Sequence, residues 1–412
     1  MATLRPFRAL RPRPADAARL AAVPYDVVNT EEARGLAQGN PLSFLRVSRA
    51  EIECPPGTDP HSAEVYERAR LNFAALRRSA LVAEEAPSLY LYRLGLDAHE
   101  QTGIAACYAL DEYDRDIIKQ HERTRRDKED DRTRHMLALG AQTGPVLLTY
   151  RARPEIDRLV AEATAAEPLI DFDAVDGVRH TLWRLEDRDR EALVHAAARI
   201  PALYIADGHH RAASAARTRT ELRQRGTATT ATPADADAGY DTFLAVAFPD
   251  DQVKVLPYNR VIKDLGGLGA DEFLAQVRSR FAVSAGPATP ARGGDIAMYF
   301  QGAWHTLRGR AGADRSDAIG RLDVSVLQDE LLVPILKIGD VRTDTRIDFI
   351  GGARGTGELE RLVESGHAAV AFSMFPVSVG DLMAVSDAGA IMPPKSTWFE
   401  PKLRDGLLIH VI

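Results

Sequence analysis

The residues Asp207-Gly208-His209-His210-Arg211 place a carboxylate, a glycine, two imidazoles and a guanidinium within five consecutive positions. An apolar run, Ala202-Leu203-Tyr204-Ile205-Ala206, precedes them and reads as a buried strand; Ala212-Ala213-Ser214-Ala215-Ala216 follows and reads as helix. A strand that stops at Asp-Gly and turns into a helix leaves backbone N–H groups without intrahelical acceptors. Hydrogen bonding and the helix dipole favour an anion there, typically phosphate. Imidazoles add proton transfer near neutral pH, and arginine adds a planar fork for phosphate oxygens. Capping by Asp207, with Gly208 relaxing the turn, accounts for the first two residues. It leaves His-His-Arg unexplained, so the segment is expected to be a catalytic or anion-binding site.

A second cluster occupies residues 119–135, Lys-Gln-His-Glu-Arg-Thr-Arg-Arg-Asp-Lys-Glu-Asp-Asp-Arg-Thr-Arg-His. Read as helix, it puts His121, Arg125, Lys128, Arg132 and His135 on one face. A solvated, salt-bridged helix is the ordinary explanation of such a run. Like charges stacked on one face repel unless an anion sits among them, so phosphate binding is weighed equally here.

Metal chemistry is the next question that these histidines raise. His121-Glu122 is followed by Arg-Thr-Arg rather than by a histidine at zinc-protease spacing, and adjacent His209 and His210 diverge from one helical turn. A structural or hydrolytic zinc site is therefore not expected. Mg2+ needs few carboxylates when a nucleotide brings phosphate oxygens, and Asp207 is the expected ligand, with Asp131 or Glu122 as substitutes. No Walker loop and no dinucleotide fingerprint is present. Farther on, Met392-Pro393-Pro394-Lys395-Ser396-Thr397 forms a proline-braced loop whose Lys395, Ser396 and Thr397 offer phosphate or carboxylate contacts; packing of Trp398 and Phe399 explains its shape equally well.

The elements that must position these groups alternate between strand and helix without a repeat. Residues 21–28 read as a short strand broken by Pro24, 31–38 as a short helix, and Ala63–Ser79 as an amphipathic helix. Residues 88–97 and 103–111 alternate as a hairpin would. A strand is expected at Val146–Tyr150 and a helix at 155–166. Strands resume at 242–248 and 253–256; then come a helix at 270–281, a hairpin near 298–308, helices at 324–336 and 357–365, and a strand at 368–374. Strands in hairpins mixed with strands between helices imply an α+β, mixed α/β class with mixed sheets. Residues 225–240, rich in Thr, Ala, Asp and Gly, are expected to be an exposed loop or insertion. They separate an N-terminal region, 1–224, carrying both ionisable clusters, from a C-terminal α/β region, 241–412, packed on the first.

Composition narrows the class. With 412 residues, 45% of them hydrophobic, the chain can bury a sizeable core, and 52 basic against 59 acidic residues give a net charge of −7. No global basicity points to a nucleic-acid partner. Cys54 and Cys107 are too few for a disulfide framework and are expected to be reduced thiols. The first residues lack a secretory apolar segment, and no run approaches the ~18 apolar residues of a membrane span. A cytoplasmic protein acting on a small molecule is expected, with its oligomeric state left open.

Val23-Pro24-Tyr25-Asp26-Val27, the 119–135 cluster, Asp207-Gly208-His209-His210-Arg211, the 344–352 stretch and Met392-Pro393-Pro394-Lys395-Ser396-Thr397 together resemble domain-of-unknown-function family 1015. The Asp-Gly-His-His-Arg segment is in turn similar to one in the ParB/sulfiredoxin-like fold, which includes ADP-dependent free serine kinases and CTP-hydrolysing chromosome-partition proteins. The resemblance implies a ParB/sulfiredoxin-like core elaborated by a C-terminal region, and a nucleotide or phosphate site lined by Asp207, Gly208, His209, His210 and Arg211. It implies phosphoryl transfer at serine or phosphoserine, with ADP or ATP as co-substrate and Mg2+. Glu122 or His210 would accept the hydroxyl proton; Arg211, Arg132 and Lys128 would hold phosphoryl oxygens, with His121 and Arg125 beside them; Asp207 would cap the turn or hold Mg2+. A nucleotide-binding switch without turnover, and a hydrolase that phosphorylates His209 or His210, are the alternatives.

Overall fold

The computed structural model describes residues 2–226, 239–309 and 317–412. Most of the expected loop at 225–240 lies outside them. The chain divides into two compact units, Met1–Val253 with Pro401–Ile412, and Lys254–Glu400. The division therefore falls after Val253 and not within 225–240, because the strand following that stretch completes the first unit's sheet.

That sheet contains β1 (Leu4–Arg5), β2 (Tyr90–Leu96), β3 (His99–Ala109), β4 (Ile118–Lys119), β5 (Val146–Tyr150), β6 (Ile170–Asp173), β7 (Arg179–Arg184), β8 (Leu203–Asp207) and β9 (Thr242–Pro249). Its order is β4-β8-β5-β9-β3-β2-β7-β6, with β1 pairing on β3. Neighbours are mostly antiparallel, but β4–β8 and β5–β9 run parallel, so the sheet is mixed. β5 and β9 are buried along their whole length, which is why both read as continuous apolar runs without alternation.

Six helices of this unit matter to the argument: α1 (Thr30–Ala37), α2 (Ala63–Ser79), α3 (Arg126–Leu139), α4 (Pro154–Ala163), α5 (Asp187–Ala197) and α6 (His209–Gln224). One core packs sheet residues such as Ile104, Leu148 and Ile205 against Ile156 of α4, Leu193 of α5 and Ala212 and Ala215 of α6. A second core gathers Leu20, Phe44, Val65, Phe73 and Leu76. Each such large side chain contributes about 1.5–3 kcal/mol on burial. α1 begins with a reciprocal capping box between Asn29 and Glu32.

The expected strand at 21–28 is absent. Only Ala22 pairs, in a single bridge to Asp405. Pro24 has no N–H to continue a ladder, and the chain turns instead.

The second unit is a six-stranded sheet, β10 (Tyr258–Ile262), β11 (Phe281–Ala285), β12 (Asp295–Phe300), β13 (Ala303–Gly309), β14 (Ile347–Gly351) and β15 (Val370–Ser373), in the order β11-β13-β12-β15-β10-β14. The helices α7 (Ala270–Arg280), α8 (Gly355–Glu364) and α9 (Val379–Asp387) accompany it. With one large mixed sheet, one large antiparallel sheet, three two-stranded pairs and helices throughout, the described residues are α+β. Among the described residues no helix is long and apolar enough to cross a membrane.

Candidate functional site

Parallel pairing of β4 with β8, in the register Tyr204 to Lys119, carries the chain exits of both strands to the same end of the sheet. His121-Glu122 follow β4 and Gly208-His209 follow β8. The two clusters meet there: the rings of His121 and His209 stand edge to face with centroids 4.5 Å apart. Glu122 Oε2 lies 4.0 Å from His209 Nδ1.

Gly208 makes the turn possible. Its φ of +92° is left-handed, and an added Cβ would sit 3.4 Å from the Cα of Val146. The backbone then enters the 16-residue helix α6 directly, with no side chain capping its first turn. Asp207 accepts the Gly208 N–H at 3.0 Å and pairs with Lys402 Nζ at 3.0 Å. Burial alone would raise the Asp207 carboxyl, but Lys402 and Arg211 more than offset that and hold it well below the usual carboxylate range. With one oxygen on an amide and the other on an ammonium, Asp207 does not fit the Mg2+ role expected of it.

His121 and His209 are 2% and 4% exposed. Burial holds both imidazoles neutral, His121 pulled down to about 4 and His209 well below its ordinary value. His121 bonds the Ile205 carbonyl through one ring nitrogen. Its Nδ1, and His209 Nε2, find no hydrogen-bond partner among the described residues. His210 differs. Its Nε2 accepts the backbone N–H of Arg125 at 3.0 Å, which withdraws that nitrogen from proton transfer. Glu122 is 37% exposed, so solvent reaches its carboxylate.

Several expected phosphate ligands are committed elsewhere. Arg211 is 6% exposed; it donates to the Pro145 carbonyl at 2.8 Å and to Asp26 at 3.1 Å. Arg132 stacks over the Tyr25 ring at 4.1 Å and pairs with Asp131 at 2.7 Å, while Tyr66 and His61 hold the same aspartate. These two guanidiniums build the floor beneath the turn and do not present forks to a ligand.

The cationic stripe does not form. α3 starts only at Arg126, after an extended Arg125, so His121 and Arg125 lie outside it. His121 is neutral, and His135, buried and bonded to the Val47 carbonyl, is pulled down to about 4 by burial. Arg125 pairs with its neighbour Asp127. Of the stripe only Lys128 is a half-exposed cation with no ion pair among the described residues. Lys395, Ser396 and Thr397 belong to the second unit, where Ser396 donates to the Pro393 carbonyl and Lys395 Nζ stands over the Tyr258 ring.

Three residues of this floor are absent from the expected set: Asp26, Lys402 and Asp405. The segment 401–412 returns to the first unit and brings two of them. Asp405 is 2% exposed, and its Oδ1 lacks a hydrogen-bond partner among the described residues. A Cβ on Gly144 would fall 2.3 Å from that oxygen. Burial, reinforced by Asp26, pushes the Asp405 carboxyl up to about 7 against the pull of Arg211 and Arg132. A carboxyl raised by folding favours the fold below its unfolded value near 4 and loses that advantage as pH rises through 7. Asp405→Asn should therefore gain stability relative to the parent between pH 5 and 8, read as the difference in urea midpoints. A constant difference across that range would show that Asp405 does not titrate there.

The description "Protein of unknown function (DUF1015)" fits a family model that matches residues 4–325, more than three quarters of the chain. The chain belongs to the DUF1015 family. Among curated proteins none matches. Solved structures with some likeness to this DUF1015 chain include a free serine kinase in complex with AMP, 16% identical, TM-score 0.33, covering 72% of this chain and 86% of that one. SbnI with a C-terminal truncation from Staphylococcus aureus is 12% identical, with TM-score 0.38 and coverage of 74% and 87%. A conserved hypothetical protein from Pyrococcus furiosus is 14% identical, with TM-score 0.34 and coverage of 74% and 94%.

Proposed function

We propose that the turn at Asp207–Arg211 and Glu122 form the site of a phosphoryl-transfer enzyme acting on a small hydroxy-amino acid, serine in one direction or phosphoserine in the other. The supporting observation is the 4.0 Å approach of the Glu122 carboxylate to His209 at the amino end of α6. It puts a proton acceptor beside a helix end that favours phosphate, although the two lie 87 residues apart (209 − 122). Phosphoryl transfer asks mainly for positioning and charge neutralisation, which such an arrangement supplies.

In this reading Glu122 takes the substrate hydroxyl proton. The first-turn amides of α6, with Lys128, hold phosphoryl oxygens. Arg211, Arg132, Asp26 and Lys402 fix the turn from below. ADP or ATP is the co-substrate, and Mg2+ supplies charge neutralisation on its phosphates; it arrives with the nucleotide, since Asp207 does not fit as its ligand. A phosphohistidine route is disfavoured by the burial of His209 and the hydrogen bond on His210 Nε2.

The test is incubation of purified protein with serine plus ADP, ATP or CTP, and separately with phosphoserine, with and without Mg2+, following phosphoserine and phosphate release. Formation or consumption of phosphoserine supports the reading. Nucleotide binding without turnover of either compound would replace it with a nucleotide-dependent switch.

A further inference from the structure

We infer that His121, Glu122 and His209 form a binding site for a divalent first-row transition-metal ion. One nitrogen from each imidazole and one Glu122 oxygen lie within 4.8 Å of one another. Ligands at about 2.0–2.1 Å from a tetrahedral ion stand roughly 3.3 Å apart, so the gap to close is short. Both histidines are fixed in the protein interior, while Glu122 is half-buried and can supply the adjustment.

His121 carries the mark of a ligand. His121 bonds the Ile205 carbonyl through one nitrogen, and its Nδ1 is left bare. A backbone carbonyl on the far nitrogen is how ligating histidines are held in a single tautomer with the other lone pair presented. His209 turns its Nδ1 toward Glu122 at 4.0 Å, and its other nitrogen, Nε2, is buried without a partner among the described residues. Two buried orphan nitrogens whose rings stand face to edge at 4.5 Å are costly unless something sits between or beside them. A pair of imidazoles with a single carboxylate suits zinc, iron, cobalt or manganese better than magnesium, which prefers oxygen. Three protein ligands also leave positions open for water or a substrate oxygen.

The site was hidden from spacing arguments because its ligands come from two segments that the β4–β8 pairing joins. Its existence does not depend on the phosphoryl-transfer reading. One consequence does: Glu122 cannot ligate an ion and accept a proton together, so a loaded site would switch off the proposed base.

Chelator-stripped full-length protein titrated with Co2+ decides the matter. One ion per chain should bind with visible d–d bands, yield to Zn2+, and resist a large excess of Mg2+. Glu122→Gln, a half-exposed change compatible with folding, should weaken Co2+ binding about 100-fold or more, since loss of even an outer partner of a ligand costs roughly 10- to 100-fold. His121→Asn should do the same, and if that variant fails to fold the glutamine variant still decides. Absence of d–d bands in the parent, displacement by Mg2+ at equal concentration, or undiminished Co2+ affinity in Glu122→Gln would each overturn the site and leave buried water as the occupant between the rings.

Discussion

Glu122→Gln should lower phosphoryl transfer about 100- to 10,000-fold, the contribution of a well-placed general base. The amide keeps the size of the side chain but cannot accept the hydroxyl proton. Because Glu122 is 37% exposed, the fold should tolerate the change, with a melting temperature close to the parent's. Nucleotide affinity should also stay close to the parent's, since helix amides and cations hold the phosphates. The loss should therefore appear in kcat rather than in nucleotide binding. A glutamine variant that turns over at the parental rate would remove Glu122 from the chemistry, and the serine kinase reading with it.

Arg211→Ala should destabilise the first unit by about 3 kcal/mol, the lower part of the range for removing one member of a buried ion pair. The lower part applies because Asp26 is 38% exposed and can be rehydrated. The Pro145 carbonyl loses its donor at the same time. Arg211→Lys keeps the charge but cannot reach Asp26 and Pro145 together, since one ammonium replaces two separated N–H groups. It should cost about 1.5–3 kcal/mol, one hydrogen bond to a charged group. Denaturant midpoints measured on both variants check the order. Lysine at parental stability with activity lost would place Arg211 on the substrate instead of in the floor.

Local pattern was enough for the elements whose stability is local. Helix α2 occupies the expected Ala63–Ser79, because its apolar positions Val65, Tyr66, Ala69, Phe73 and Leu76 recur at helical spacing. The hairpin of β2 and β3 forms about the expected polar turn, although β3 already starts at His99 and is buried at every position from Gln101 on. The 119–135 stretch shows where such reading fails. Almost every residue there is polar, so no apolar stripe marks where helix begins. The structure ends β4 at Lys119, turns, and starts α3 at Arg126, with Asp127 and Glu129 in the first turn, where the dipole favours acids. Residues 225–240 read equally as a linker or as an insertion for a related reason: only the pairing of β9 with β3 and β5 shows to which sheet the next strand belongs.

Sequence alone determined the α+β class, the family resemblance that the matched model bears out, and the Asp-Gly break that ends β8 and opens α6. Each follows from neighbours in the chain: hydrophobic periodicity, a glycine able to adopt positive φ, a helix that starts where the strand stops. The partners of each charge were decided only by tertiary structure. Arg211 and Arg132 carry the same charge and fork as a phosphate-binding arginine, yet Asp26, Tyr25 and Asp131, brought from other segments, engage them before a ligand could. Lys402 reaches Asp207 from 195 residues away, and His121 reaches His209 through a parallel strand pair. A side chain's chemistry is set by its type, but its protonation and availability depend on burial and on what stands within a few ångströms, and the chain's return paths fix both.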